Sequence, residues 1–340
     1  MHTTSMARVA ALGVLAWAAG AGTAVAGGLE LRVATLAPDG SSSLKLLGKA
    51  AAEIETKTEK RVTVKYYAGG VNGDERDNVR KLELGQLDGA ALTSTGLSLI
   101  DSSLSVLELP RLFATVEELD YVADKMWPSF QKRFAAKGFR LQDRDEVGWI
   151  HFLSKSEIKS VADLKRLKVW LDSDDAIVRA MYKKLGVSGV PLSVPEVEPA
   201  LTTGRINTAY GSPLTAVALQ WNTKVKYMSS LPLHYAISAT VIKLDVLKKA
   251  SAADQALVDK IGNAMSKTLR KQIRKDNESA KKQMERGGLN ITAGPADLIA
   301  AFDKAAKEIW KELTGKLYSK AELELVLKYR DEYRAKNPAR

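Results

Sequence analysis

A chain of 340 residues has room for about two ordinary domains, and 45% hydrophobic with 27% charged residues is the composition of a folded globular protein, not a disordered one. With no cysteine, disulfides, thiolate metal sites and cysteine nucleophiles are excluded. The formal net charge of +11 raises nucleic acid or an anionic membrane as partners, but Lys and Arg alternate with Asp and Glu, as in "KKQMERGG" and "KYRDEYRAK", without interleaved aromatics. That is a solvated basic surface, and no nucleic-acid partner is expected.

Residues Met1 to Ala26 join a basic Arg8, an apolar run from Val9 to about Ala21 and the small-x-small site Ala24-Val25-Ala26. This is the pattern of a secretory signal peptide, too short for the ~20 residues of a membrane span. Residues 1–26 are therefore expected to be removed on export to the periplasm, and the rest not to be membrane-embedded. "LELRVAT" at 29–35 alternates as a first strand. "APDGSSS" breaks it, and Leu44, Leu47, Ala51 and Ile54 follow at helical spacing. "RVTVKYY" at 61–67 is a second strand, "AGGVNGDE" a glycine-rich loop, Asp77 to Leu87 a helix, and "LDGAALTST" a third strand running into a loop. Alternating strands and helices predict a parallel sheet with helical crossovers. Ligands of such sheets sit beyond the carboxyl ends of the strands, here Thr35-Leu36-Ala37, Ala68-Gly69-Gly70 and Leu92-Thr93-Ser94. Val122 to Phe139 is helical, with Trp127-Pro128 as a break.

The pattern then restarts. "VGWIHFL" at 147–153, Lys168 to Leu171 and "GVPLSV" at 189–194 are strands; "PEVEPALTTGRI" is a short helix, and "NTAYGSP" leads into another that ends near Lys224. Ser251-x-x-Asp254 fits a capping box, and Leu257, Ile261, Met265, Leu269 and Ile273 carry a stripe on to Ala280 and Met284 before Gly287-Gly288 stops it. About 35 residues at ~1.5 Å rise give roughly 50 Å, enough to lie across two domains. Residues 296–335 are amphipathic helices expected on the second unit, and the final "RAKNPAR" is expected to fray.

Chemistry is sparse. His151 and His234 are far apart with no metal-binding spacing, there is no GxSxG elbow, and the Gly69-Gly70 loop lacks the phosphate-cradling patterns. Asp172, Asp174 and Asp175 could chelate Ca²⁺, but acids at a helix N-terminus explain them more simply. No catalytic residue, metal or cofactor is expected; the residues offer binding, not catalysis.

"LRVATLAPDGSS", "VTVKYYAGGVNGDERDNVRKLELGQLDGA", "LELPRLF", "SVADLKRLKVW", "VPLSVPEVEPALTTGRINTAYGSP" and the long helix together resemble the solute-binding proteins of TRAP transporters, the DctP type, from Leu29 to Ile291. The resemblance implies an α/β, two-domain periplasmic binding protein clamp crossed by two linker strands and a long helix. It implies capture of a small-molecule ligand and delivery to TRAP permease membrane subunits driven by an ion gradient, without enzymatic activity. The linkers divide the chain into domain I, 29–147 plus 236–275, and domain II, 148–235 plus 276–340.

The chain departs from that family at its anchor. Where the "LKGLKxR" strand of relatives ends in an arginine that forks onto a substrate carboxylate, Trp170 stands here, and Ile150, between Trp149 and His151, stands where a second arginine is common. Tyr210 and Ser212 lie in "NTAYGSP", with Ser212 at the usual amide position. Leu36, Ala37, Leu92, Thr93 and Val194 are the remaining cleft positions that the resemblance implies, with His234 near the linker. A mostly apolar cleft with a flat indole predicts an apolar or amphipathic ligand, with Thr93, Ser212, His234 and the indole N–H as its few polar contacts. The alternatives are a carboxylate receptor using another cation, Arg76 or Arg111, and an interaction protein without a ligand.

Overall fold

The computed structural model describes residues 28–338. The expected signal segment lies outside the described residues. Strand β1 (Leu29–Thr35) buries Leu31 and Val33 by its alternation, and α1 (Ser42–Lys57) starts where the Ser41 side chain accepts the Leu44 N–H. β2 (Val62–Tyr67) leads to α2 (Glu75–Glu83), opened by a reciprocal cap between Asp74 and Asp77. That helix ends before the expected Leu87, because Gly85 turns left-handed at φ +72°. β3 (Gly89–Thr93) runs straight into α3 (Ser94–Ile100), where a loop was expected. Its start is capped from another element: Glu75 accepts the Thr93 and Gly96 N–H groups at 2.6 and 2.8 Å. α4 (Val116–Ala136) passes through Pro128 without the expected break. Trp127 and Phe130 are buried on either side, and the Trp127 indole donates to the Gln142 carbonyl at 2.9 Å, so packing outweighs the one lost backbone bond.

The chain continues through β4 (Phe139–Trp149), β5 (His151–Ser154), α5 (Val161–Arg166), β6 (Val169–Leu171), α6 (Ala176–Leu185), β7 (Gly189–Pro191), α7 (Val197–Thr203), β8 (Thr208–Gly211), α8 (Pro213–Ala218) and β9 (Tyr227–Ser229). It finishes with β10 (Tyr235–Lys243), α9 (Leu244–Leu247), α10 (Ala252–Arg286), β11 (Asn290–Thr292), α11 (Ala296–Leu313) and α12 (Lys320–Lys336). The strands form two sheets, ordered β2-β1-β3-β10-β4 and β11-β9-β5-β8-β6-β7. Neither is purely parallel: β10 runs antiparallel to β3 and β4, and β5 to β8 and β9. In each sheet the reversed strand is the one next to the crossing: β10, which returns late to the first sheet, and β5, which enters the second sheet first.

What sequence alternation suggested as one strand at 147–153 is two strands in two sheets. Trp149 pairs with Tyr235 in the first, and His151 with Gly211 in the second. At the crossing, Ile150 donates to the His234 carbonyl at 3.0 Å and accepts from Leu233 N–H at 2.8 Å, so both linkers are bonded to each other there. α10 spans the junction. Its Asn277 donates to the Val147 carbonyl in the first sheet at 2.9 Å and accepts the Leu214 N–H at the start of α8 at 3.0 Å. Arg274, also on α10, forks onto Glu146 at 2.8 and 2.9 Å and onto Asp120. Ser251 caps this helix as expected, but Asp254 turns to Arg61 in place of closing a full box. α11 lies on α6, whereas α12 lies on α4, away from the second unit where it was expected. Arg334, which was expected to fray, forks onto Glu118 at 2.6 and 3.0 Å.

Candidate functional site

A cavity of about 540 Å³ opens between the two sheets. The first sheet contributes the residues just past β1 and the last residues of β3, since strands that share one direction end at one rim. Leu36, Ala37, Leu92 and Thr93 line it there. The crossing contributes Ile150 and His234, and the second sheet contributes Trp170, Val194 and Tyr210. Two expected residues lie elsewhere. Trp149 packs edge-on against Tyr235, with ring centroids 5.0 Å apart. Ser212 is fully buried and caps α8, accepting Thr215 N–H at 3.1 Å. A helix-capping serine after a strand explains it, and the sequence pattern could not separate cap from contact.

Trp170 is 4% exposed and belongs to an aromatic block. It stacks on Tyr210 with centroids 4.4 Å apart and planes 19° from parallel, and Trp221 meets it edge-on at 5.5 Å. Its indole N–H is already used, donating to the Leu192 carbonyl at 2.9 Å. The ring therefore offers a face and no donor, which corrects the expected polar role. Thr93 is likewise engaged, donating to Glu75 at 2.7 Å. Of the polar contacts expected from sequence, only His234 keeps a free atom: its Nδ1 is buried without a partner. Burial lowers the imidazole's pKa, so the ring is held neutral.

Sequence reasoning missed the acids. Glu75, Glu108, Asp145, Glu146, Asp172 and Asp175 all reach the cavity wall. Glu108 accepts Ile237 N–H and the Ser94 hydroxyl, each at 2.5 Å, and lies 3.7 Å from His234 Nε2. Its carboxyl is pushed up to about 8, first by burial and then by the charges of Asp175 and Glu75. Asp172 is pushed up to about 7 by burial and by the neighbouring charges of Asp175, Glu75 and Asp174; Asp145 reaches about 7 chiefly by burial. The signal for Glu108 was present: one acid inside the apolar "VLELPRLF". Asp175 does cap α6, accepting Val178 N–H at 2.9 Å, but it also faces the cleft.

Neither alternative cation enters. Arg76 donates to Asp174 at 2.9 Å on the outside of the cleft, and Arg111 pairs with Asp303 at 2.6 Å. Among the described residues, no lysine or arginine lines the cavity. Such a chamber can exclude water from an apolar guest. It cannot neutralise a carboxylate by a charged fork.

The sequence profile of the bacterial extracellular solute-binding proteins, family 7 (DctP), matches residues 33–316. The uncharacterized protein YiiZ of Salmonella typhimurium is 31% identical over 176 residues, so the match spans about half of either chain, 49% of this one and 51% of YiiZ. A TRAP periplasmic solute-binding protein from Xanthobacter autotrophicus with bound β-D-galacturonate superposes with a TM-score of 0.82 at 19% identity, covering 88% of this chain and 99% of that one. An extracytoplasmic solute receptor of Bordetella pertussis binding pyroglutamic acid superposes with a TM-score of 0.82 at 18% identity, covering 89% and 99%. At these identities the structural likeness establishes the fold: the α/β clamp with its long crossing helix.

Proposed function

Because the chain belongs to the DctP family, family 7 of the bacterial extracellular solute-binding proteins, we propose that it is an extracytoplasmic TRAP receptor for an apolar or amphipathic solute. The receptor works in the periplasm, does no chemistry on its guest, and hands it to membrane permease subunits. One observation carries the choice of solute: the wall position that the resemblance assigns to a guanidinium holds Trp170, whose face is apolar and whose N–H is spent on Leu192. Pocket desolvation then works through apolar area, at roughly 25 cal/mol per Å² removed from water.

A second reading has its own support, since the solved relatives named above hold galacturonate and pyroglutamate, both carboxylates. The two separate in one experiment. Isothermal titration of the exported protein against D-galacturonate, C4-dicarboxylates and medium-chain lipids, preceded by native mass spectrometry of the purified protein, should give an apolar guest or medium-chain affinity. Tight uronate or dicarboxylate binding would sink the apolar reading and install the carboxylate one.

A further inference from the structure

Resting on the cleft as the ligand site proposed above, we infer that its guest carries a positively charged, amine-type nitrogen, seated where the Trp170–Tyr210 stack meets the carboxylates of Asp172, Asp175, Glu75 and Glu108. The surface of this protein is basic, with a formal net charge of +11, yet the chamber is acidic and holds no lysine or arginine among the described residues. The donors that satisfy Glu75, Glu108, Asp172 and Asp175 are neutral, whereas Glu146 is paired with Arg274 from α10. Glu75 takes two backbone N–H groups and the Thr93 hydroxyl; Glu108 takes Ile237 N–H and Ser94. Asp172 accepts Asp174 N–H at 2.9 Å through one oxygen, and its other oxygen has no donor among the described residues. Like charges gathered in a desolvated space repel, so Glu108 and Asp172 hold on to protons that a cationic guest would release.

The aromatic block is tied directly to these acids. Tyr210 donates its hydroxyl to Asp175 at 3.3 Å and accepts Asp172 N–H at 3.2 Å, while its ring stacks on Trp170. Aromatic faces beside carboxylates recognise organic cations through the ring quadrupole. His234 lines the same chamber, with its Nε2 3.7 Å from Glu108, and burial holds the ring neutral, so it brings no charge that competes with a cation. A metal ion is the poorer occupant, because no three His, Asp or Glu side chains among the described residues converge to hold one. The guest is thus an amphipathic amine: an apolar body against Leu36, Leu92 and Ile150, and a cationic head at the acids.

The test titrates the exported protein with 4-phenylbutylammonium, 4-phenylbutanol and 4-phenylbutanoate. The ammonium should bind at least about tenfold tighter than the alcohol, with the carboxylate weakest. Asp172→Asn should bring the ammonium's affinity down to the alcohol's; Glu75→Gln serves as a second variant, and the thermal midpoint of each confirms folding. Equal binding of ammonium and alcohol, or an undiminished preference in both variants, overturns the cation while the apolar reading stands. Preference for the carboxylate overturns both, and an ammonium that does not bind at millimolar concentration overturns the cation.

Discussion

Glu108 is buried in the clamp, facing Ser94, Ile237 N–H and His234, within range of the charges of Asp175 and Glu75. Its folded pKa, about 8, lies above the ordinary 4.5, so between those values the folded chain keeps a proton that the unfolded chain has shed. Stability must then fall as pH rises from about 4.5 towards 8, and level off above it. Asp172 and Asp145, both near 7, add slope in the same direction. Urea unfolding between pH 5 and 9 should show that decline, and Glu108→Gln should flatten it by an amount on the order of a few kcal/mol, at about 1.4 kcal/mol per pKa unit. An unchanged slope would mean that the carboxyl ionises normally. Trp170→Ala removes a buried ring from the Tyr210 and Trp221 contacts and strands the Leu192 carbonyl. It should cost about 3 to 5 kcal/mol in chemical denaturation. A loss under about 1 kcal/mol would show that the ring is not packed as described.

Among the elements, β4 shows how a linker is held. Gly148 sits at φ +115°, and a Cβ there would stand 2.7 Å from the Asn277 amide nitrogen. Asn277 needs that approach to bond Val147 on one side and Leu214 on the other. Gly148→Ala therefore strains the backbone and displaces the side chain that joins β4 to α8, at a cost of about 1 to 3 kcal/mol. Hydrogen exchange should show faster opening at Leu214 N–H in the variant, and unchanged protection there would refute the joint. The elements themselves were mostly legible, because their signals are local: alternation in β1, the Ser41 and Ser251 caps, the four-residue stripe of α10. α3 was not, because its cap is Glu75, from a different helix. Nor was the passage of α4 through Pro128, which Trp127 and Phe130 secure by packing.

At the scale of the whole molecule, two sheets close on a chamber, and Arg76 on α2 reaches Asp174 across the lip of the cleft. The arginine is 63% exposed, so the pair contributes at most about 1 kcal/mol. Closure can be driven by a guest only to the extent that it binds the closed form better. Arg76→Ala should then raise the guest's dissociation rate in stopped-flow by up to about fivefold, an effect that salt should erase in the parent protein. An unaltered rate would show that the lip pair does not hold the clamp shut. The α/β class, the spanning helix and the tryptophan in place of an arginine at position 170 were all determined by the sequence alone, because each is written in contiguous residues or in one position of a recognisable strand. The wall of the chamber was decided only by the tertiary structure. Glu75, Glu108 and Asp172 lie far apart along the chain; Glu75 and Asp172 have an innocent local reading as helix-start acids, and the apolar run around Glu108 does not tell which groups it faces. Folding brings their charges within reach of one another and away from water, and electrostatic energy depends on distance in space and on solvent, neither of which is encoded by a residue's neighbours in sequence.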